Sequence, residues 1–383
     1  MFMKFNGQLA LAIALLMFPQ IAQSIFSPAL ADIERVLEVG VASASRMFSV
    51  YFLAFAFGVV VWGLACDWIG RRPSLLAGLV VYLLAICLAL STTSFSVFLI
   101  SQAFAAFGVA ACSVVTQTVL RDSFRGTELA QVFSLVGMAL AASPAIGLFT
   151  GASLVAGFGY HGVLYGLLGL ALLLFGVSAR QLSETRPTLV VTPPLFATSV
   201  DLFRDLGVWR SALLVAAFNI ALFSYYSLAP FMFQRLGLGG ELFGYSGVIL
   251  ALGSGCGAWL NKRLLHRGWA GERLVGLASR LMLGAGVAVW GLQDSGLFVL
   301  PMMAIVLGFG LAIPNILGGA LAAYSDRQGT AGALFGLMYY LMIGAGLMGS
   351  AWSQDLGASL LFCGATAWVL TFRWRFPRGG ASH

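Results

Sequence analysis

Charge is what this chain has least of. Only 9% of its 383 residues are Asp, Glu, Lys or Arg, whereas 60% are hydrophobic, and the mean hydropathy is +0.94. Soluble domains carry roughly 25% charged residues, so a water-facing globular surface is excluded and lipid must solvate most of the chain. Cysteine is sparse and unpatterned. Cys66, Cys87, Cys112, Cys256 and Cys363 sit in or beside apolar runs with no CxxC pair, which speaks against a disulfide framework and against a zinc site. The histidines are His161, His266 and His383, none inside an apolar run. With no nucleophile and base at bilayer depth and no metal spacing, a membrane-embedded enzyme has no support, and neither a metal nor a cofactor is expected. A signalling receptor would need an appended soluble domain, for which no length is left.

What the sequence has in quantity is apolar runs, at about 9–30, 47–66, 73–91, 97–120, 131–157, 162–178, 210–234, 243–262, 274–292, 297–320, 331–352 and 356–372. A membrane-crossing helix needs ~20 such residues. The first run follows Lys4 and could pass for a signal peptide, but it continues to Leu30 and carries a polar stripe, so it reads as span 1. Six runs precede and six follow the longest polar stretch, which contains Pro187, Pro193 and Pro194. The expected organisation is an all-α membrane protein: a six-helix half over 1–178, a linker over 179–209, and a second six-helix half over 210–383.

The net charge of +7 could suggest nucleic acid, but its placement suggests a membrane. With the N-terminus in the cytoplasm, 18 of the 21 basic residues fall in the termini and cytoplasmic connections, leaving Arg35, Arg46 and Arg235 outside. That is the bias expected of cytoplasmic loops. Both termini are therefore expected in the cytoplasm, in contact with lipid and not with nucleic acid.

The most specific local signal joins runs 2 and 3: Gly63-Leu64-Ala65-Cys66-Asp67-Trp68-Ile69-Gly70-Arg71-Arg72-Pro73. A carboxylate at a helix C-terminus opposes the helix dipole and needs compensation, from Arg71 and Arg72 or from the N-terminus of another helix. A merely tight, charged turn would explain one glycine and the basic pair, not the whole string. A weaker echo, Gly257-Ala258-Trp259-Leu260-Asn261, lies 194 residues later, as a duplicated half predicts.

The string resembles motif A of the major facilitator superfamily. Further segments extend the resemblance to the bicyclomycin-resistance group of twelve-span drug exporters: Ser27-Pro28-Ala29-Leu30, Arg121-Asp122, Leu182-Ser183-Glu184-Thr185, Ala229-Pro230-Phe231, Pro314-Asn315 and Gly329-Thr330-Ala331-Gly332-Ala333. The resemblance implies the major facilitator fold, with 12 helices in two pseudo-symmetric halves that rock to give alternating access. It also implies a bacterial inner-membrane location, a single-chain (monomeric) carrier and proton antiport. Gly63, Asp67, Gly70, Arg71 and Arg72 become a conformational latch, with the helix of span 11 as Asp67's partner in one state only.

The departures are specific. Ser24 stands where the family's first span usually has an acid, and Gln102 where its span 4 has an embedded Arg. The span-5 motif is reduced to Gly147 and Gly151, with Pro144 upstream, a motif C-like hinge. Every acidic residue falls in a connection or at a helix end, so the usual embedded proton relay is missing. Spans 1, 4, 7 and 10, which line the family's cavity, carry uncharged polar groups instead. These are Gln20, Gln23 and Ser24, then Gln102 and Gln117, then Asn219, Tyr225 and Tyr226, and finally Asn315. Lipid cannot satisfy an amide. Interhelical hydrogen bonds could account for half of these residues; a substrate path is the reading favoured by their concentration in four spans. The expected function is secondary efflux of drugs or small amphipathic metabolites. The alternative is a dedicated metabolite or siderophore carrier, or an uncoupled facilitator, of the same fold.

Overall fold

The computed structural model describes residues 2–186 and 195–372. Pro187, Pro193 and Pro194 of the expected linker, and Arg373, Arg375 and Arg378 near the C-terminus, lie outside the described residues. Among those described, the chain is helical, without strands. It divides into two compact units, residues 1–191 with 243–247, and residues 192–242 with 248–383.

The first unit is built from α1 (Phe2–Ser24), a short α2 (Leu30–Val36), α3 (Val41–Ile69), α4 (Arg71–Ser91), α5 (Phe95–Ser123) and α6 (Gly126–Gln181). Pro19 lies inside α1, where its ring removes one backbone donor. Helices α3, α4 and α5 approach until their backbones touch. A Cβ placed on Gly78 would lie 2.7 Å from the Gly108 carbonyl, and one on Gly108 would lie 2.6 Å from the Gly78 carbonyl. Small residues permit this contact, which substitutes for the hydrophobic drive that lipid does not supply.

At 56 residues α6 is too long for one crossing, and it is not one rod. Gly159 has φ 63 and ψ −164, a conformation essentially confined to glycine, and the chain reverses there. On the first arm, Val132 and Val136 pack with Leu16 of α1, and Gly151 lies against Ile25. On the second arm, the Gly159 turn meets Asp32, while the Gln181 carbonyl accepts from Gln8 Nε2 at 3.4 Å. The arms thus run in opposite directions along α1, and spans 5 and 6 join through one residue, where the sequence suggested a short loop.

The second unit contains α7 (Leu195–Arg204), α8 (Leu206–Arg235), α9 (Gly240–His266), α10 (Gly271–Leu292), α11 (Val299–Ala320), α12 (Gln328–Ser353) and α13 (Leu356–Thr371). Asp205 caps α8 by accepting from the Gly207 and Val208 amides, and Asp355 caps α13 by accepting from Ala358; each satisfies donors that a helix start leaves open. Among the described residues ten helices are long and apolar enough to cross a bilayer. One of these doubles back at Gly159, and the shorter apolar α13 completes twelve crossings. This is a multi-pass membrane protein.

Candidate functional site

The Gly63–Arg72 string folds around Arg71. Its side chain, at the start of α4, is only 5% exposed. Nε donates to Asp122 Oδ2 at 2.9 Å, and Nη1 donates to the Cys66 carbonyl at 2.9 Å and to Asp67 Oδ1 at 3.1 Å. Arg71 therefore ties the end of α3 to the end of α5. Arg72 does not join in compensating Asp67: its Nη2 donates to the Ala179 carbonyl at 2.7 Å. Of the two carboxylates on Arg71, Asp122 is the more enclosed, its side chain 19% exposed against 40% for Asp67.

Gly70 begins this arrangement. Its φ of 105 and ψ of 163 are glycine's own territory, and an added Cβ would lie 2.5 Å from Glu184 Oε2. Glu184 is there because α4 starts with open amides: its Oε1 accepts from Arg71 N at 2.9 Å and its Oε2 from Arg72 N at 3.1 Å. Thr185 N and Arg186 N also donate to Oε1. Partial burial alone would raise the Glu184 carboxyl, but the four backbone N–H groups together outweigh it and hold the carboxyl below its ordinary value. Thr185 Oγ1 closes the circuit by donating to Asp122 Oδ2 at 3.1 Å. Gly63 makes only ordinary contact, with an added Cβ 3.7 Å from Val114.

A second polar feature lies nearer the opposite end of the unit. Gln23, in the last turn of α1, and Gln102, about 10 Å into α5 at 1.5 Å per residue, line one small cavity. Phe26, Met47, Phe48 and Tyr51 complete it. Gln23 is 5% exposed and Gln102 4%, and each leaves its Nε2 without a hydrogen-bond partner. Buried amides are ordinarily paired, and each unpaired one costs ~1–3 kcal/mol. Two such groups facing one apolar-walled cavity can bind a solute that brings its own hydrogen-bonding atoms. Tyr51 braces the wall, its hydroxyl donating to the Pro19 carbonyl at 2.7 Å.

The other candidates in this unit do not join that cavity. Gln20 is half-buried one turn below Gln23. Ser24 is fully buried and returns its hydroxyl to the Gln20 carbonyl at 2.8 Å. A Cβ on Gly147 would come within 2.0 Å of that hydroxyl, and one on Gly151 within 2.3 Å of the Ile25 carbonyl. Ser24, Gly147 and Gly151 thus form the close contact between α1 and α6, one turn above the half-buried Pro144. Gln117 sits far along α5, donating weakly to Ser113 at 3.4 Å.

In the second unit the polar candidates separate. Asn219 of α8 donates to the Val215 carbonyl of its own helix at 2.8 Å. Tyr225 and Tyr226 are buried, their rings in contact at 6.0 Å, with Phe223 and Phe298 beside them. Asn315 of α11 donates to Asn261 Oδ1 at 2.7 Å, close to where α10 begins at Gly271. The sequence placed Asn315 on a substrate path; the structure gives its amide to the echo of the Gly63–Arg72 string.

Sequence reasoning overlooked four contributors. Phe26, Met47 and Phe48 were invisible because an apolar wall residue carries no local signature. Asp32 is another: its Oδ2 accepts from Tyr160 N at 2.7 Å, capping the second arm of α6 beyond Gly159. The polar stripe of α1 and its gap to that acid were the available signal.

Known proteins resemble this chain throughout. The sequence model described as Major Facilitator Superfamily matches residues 11–347. The multidrug resistance protein D of Escherichia coli (strain K12) is 28% identical over 358 residues, covering 90% of this chain and 88% of that protein. The bicyclomycin resistance protein homolog of Haemophilus influenzae is 26% identical over 366 residues, covering 90% and 89%. Among solved structures, a D-xylose-proton symporter superposes with a TM-score of 0.80 at 14% identity, covering 98% of each chain, a likeness of fold alone.

Proposed function

Because the chain belongs to the Major Facilitator Superfamily, we propose that this transporter exports small, uncharged, amphipathic molecules across the bacterial inner membrane by alternating access of its two six-helix halves. Both termini face the cytoplasm in this reading, as the bias of basic residues suggests. The observation that carries the proposal is the cavity bounded by Gln23 and Gln102, whose buried amides lack partners within the protein. A resting structure that leaves two amides unpaired is best explained by a solute that pairs them. The multidrug and bicyclomycin resistance names of its relatives support efflux as the direction. Asp67 serves as the latch, since it is the half-exposed carboxylate of the Arg71 network and the one free to exchange partners.

The test is transport in reconstituted vesicles. Gln23→Leu and Gln102→Leu should each weaken apparent substrate affinity about 5–100-fold, the effect of ~1–3 kcal/mol, without changing expression or folding. Unaltered kinetics for every transported compound would remove the cavity from the pathway.

A second reading, a carrier working downhill without proton coupling, is favoured by one specific observation. Asp67 and Asp122 lie in the last turns of their helices, and Glu128, Glu241 and Glu272 in the first turns, so no carboxylate in the described crossings sits at mid-span. An imposed pH difference distinguishes the two: efflux that ignores it supports the facilitator, and efflux that follows it supports antiport.

A further inference from the structure

The first unit has another cavity besides the one bounded by Gln23 and Gln102. It lies at the end occupied by the Arg71 network, among α1, α4, α5 and the segment after α6. Its interior is apolar, walled by Ala12, Leu15, Leu75, Val119 and Leu120. Among the described residues no charged side chain lines it, so a charged occupant would lose its hydration without compensation from them.

One polar atom inside it has no partner. Thr116 is 2% exposed, lines the cavity, and its Oγ1 makes no hydrogen bond. Its neighbours on α5 behave differently: Thr118 and Ser123 return their hydroxyls to the carbonyls one turn earlier, at 3.0 and 2.7 Å. A helical threonine normally has that option too. Thr116, one of the lining residues, leaves it unused. The mouth, by contrast, is polar: Gln8, Ser123, Ser183 and Thr185 belong to helix ends and the segment beyond α6, where water meets the protein. Thr185 is also the residue that holds Asp122.

We propose that this cavity is a second binding site, distinct from the one bounded by Gln23 and Gln102, for a free, uncharged amphiphile with a short aliphatic body and a hydroxyl or amide head group that pairs with Thr116. The body replaces empty space against Ala12, Leu15 and Leu120, and the head group satisfies Oγ1, which can both donate and accept. Entry is from water through the polar mouth, so the occupant is a dissolved molecule and not the acyl chain of a bilayer lipid. The inference stands on Thr116 and the cavity alone and does not depend on Gln23 or Gln102 binding anything.

The test is photolabelling of the full-length protein in nanodiscs with a diazirine-bearing octanol, followed by mapping of the labelled peptides. The expected result is saturable labelling within residues 8–15 and 116–124, displaced by excess octan-1-ol at constant lipid composition. Thr116→Val should weaken it about fivefold, the usual effect of one hydrogen bond. Ala12→Phe should abolish it by filling the cavity. Ser123→Trp, at the exposed rim where folding is not at risk, should do so by closing the mouth. Gln102→Leu should leave it unchanged. Non-saturating label spread over exposed apolar residues such as Leu84 and Leu172 would mean bilayer partition only and overturn the proposal. So would equal labelling of the Ser123→Trp protein, or label that responds to lipid chain length and not to octanol.

Discussion

Gly70→Ala tests how the Arg71 network is held together. Two costs can be read from the geometry. The first is backbone strain: at φ 105 and ψ 163 any residue with a Cβ is disfavoured, by about 1–3 kcal/mol. The second is the collision of that Cβ with Glu184 Oε2 at 2.5 Å. Glu184 is exposed and can swing away, but only by releasing the amides of Arg71 and Arg72. Capping bonds of this kind are worth ~0.5–2 kcal/mol in all. Gly70→Ala should therefore cost about 2–5 kcal/mol, and Glu184→Ala alone only the capping share. In the double variant the collision vanishes and the cap is already lost, so its cost should fall short of the sum by ~0.5–2 kcal/mol. Equilibrium unfolding in mixed micelles, followed by tryptophan fluorescence, gives all three values; Trp62, buried in α3 with its indole donating to the Phe107 carbonyl at 2.8 Å, reports on this unit. A Gly70→Ala protein within about 0.5 kcal/mol of the parent would refute the strain argument. Strict additivity would refute the claim that Glu184 occupies the space a side chain needs.

Three further outcomes follow from the same geometry. The Glu184 carboxyl is held below its ordinary 4.5, so its stabilisation is present above that pH and is lost as pH falls through the lower folded value; Glu184→Gln should lose this acid sensitivity, and parallel stability-versus-pH curves for the two proteins would contradict it. Gly151→Ala must displace the Ile25 backbone and should cost about 1–3 kcal/mol, whereas Gly157→Ala, with nothing within 4 Å, should be nearly neutral; unfolding titrations of the two that coincide would show that the α1–α6 contact is looser than described. Asp67→Asn leaves Arg71 bonded to Asp122 and to the Cys66 carbonyl, so stability should barely change while vesicle export collapses; full export would dismiss the latch.

The crossings were legible because hydropathy is a local property: a run of apolar residues must enter lipid whatever its neighbours are. The reversal at Gly159 was not. The stretch from Gly157 to Gly162 holds three glycines, and what selects one of them is Asp32, 128 residues away from the Tyr160 amide it caps. The Gly63–Arg72 string was recognisable residue by residue, yet Glu184, which fixes the start of α4, comes from 113 residues downstream. Helical spacing put Gln20, Gln23 and Ser24 on one face, but it cannot say what that face meets. Gln23 meets a cavity, while Ser24 meets Gly147. Nor could it separate Gln102, with an unpaired Nε2, from Asn315, whose Nδ2 donates to both Asn261 and Leu311.

In the first unit, the end of α3, the end of α5 and the start of α4 converge on Asp67, Asp122 and Arg71. In the second, the end of α9, α11 and the start of α10 converge on Asn261, Asn315 and Gly271. The junction is repeated, but its chemistry is not. An Asn–Asn bond is short-ranged and neutral; it holds two helices and exerts no pull on a third. A carboxylate pair sharing one guanidinium keeps a net negative charge, and part of it, on Asp67, remains exposed. Only the first unit can therefore respond at a distance to a helix N-terminus or a cation. A latch built on this charge is single, not paired, and screening by salt should loosen it without touching the amide junction of the second unit.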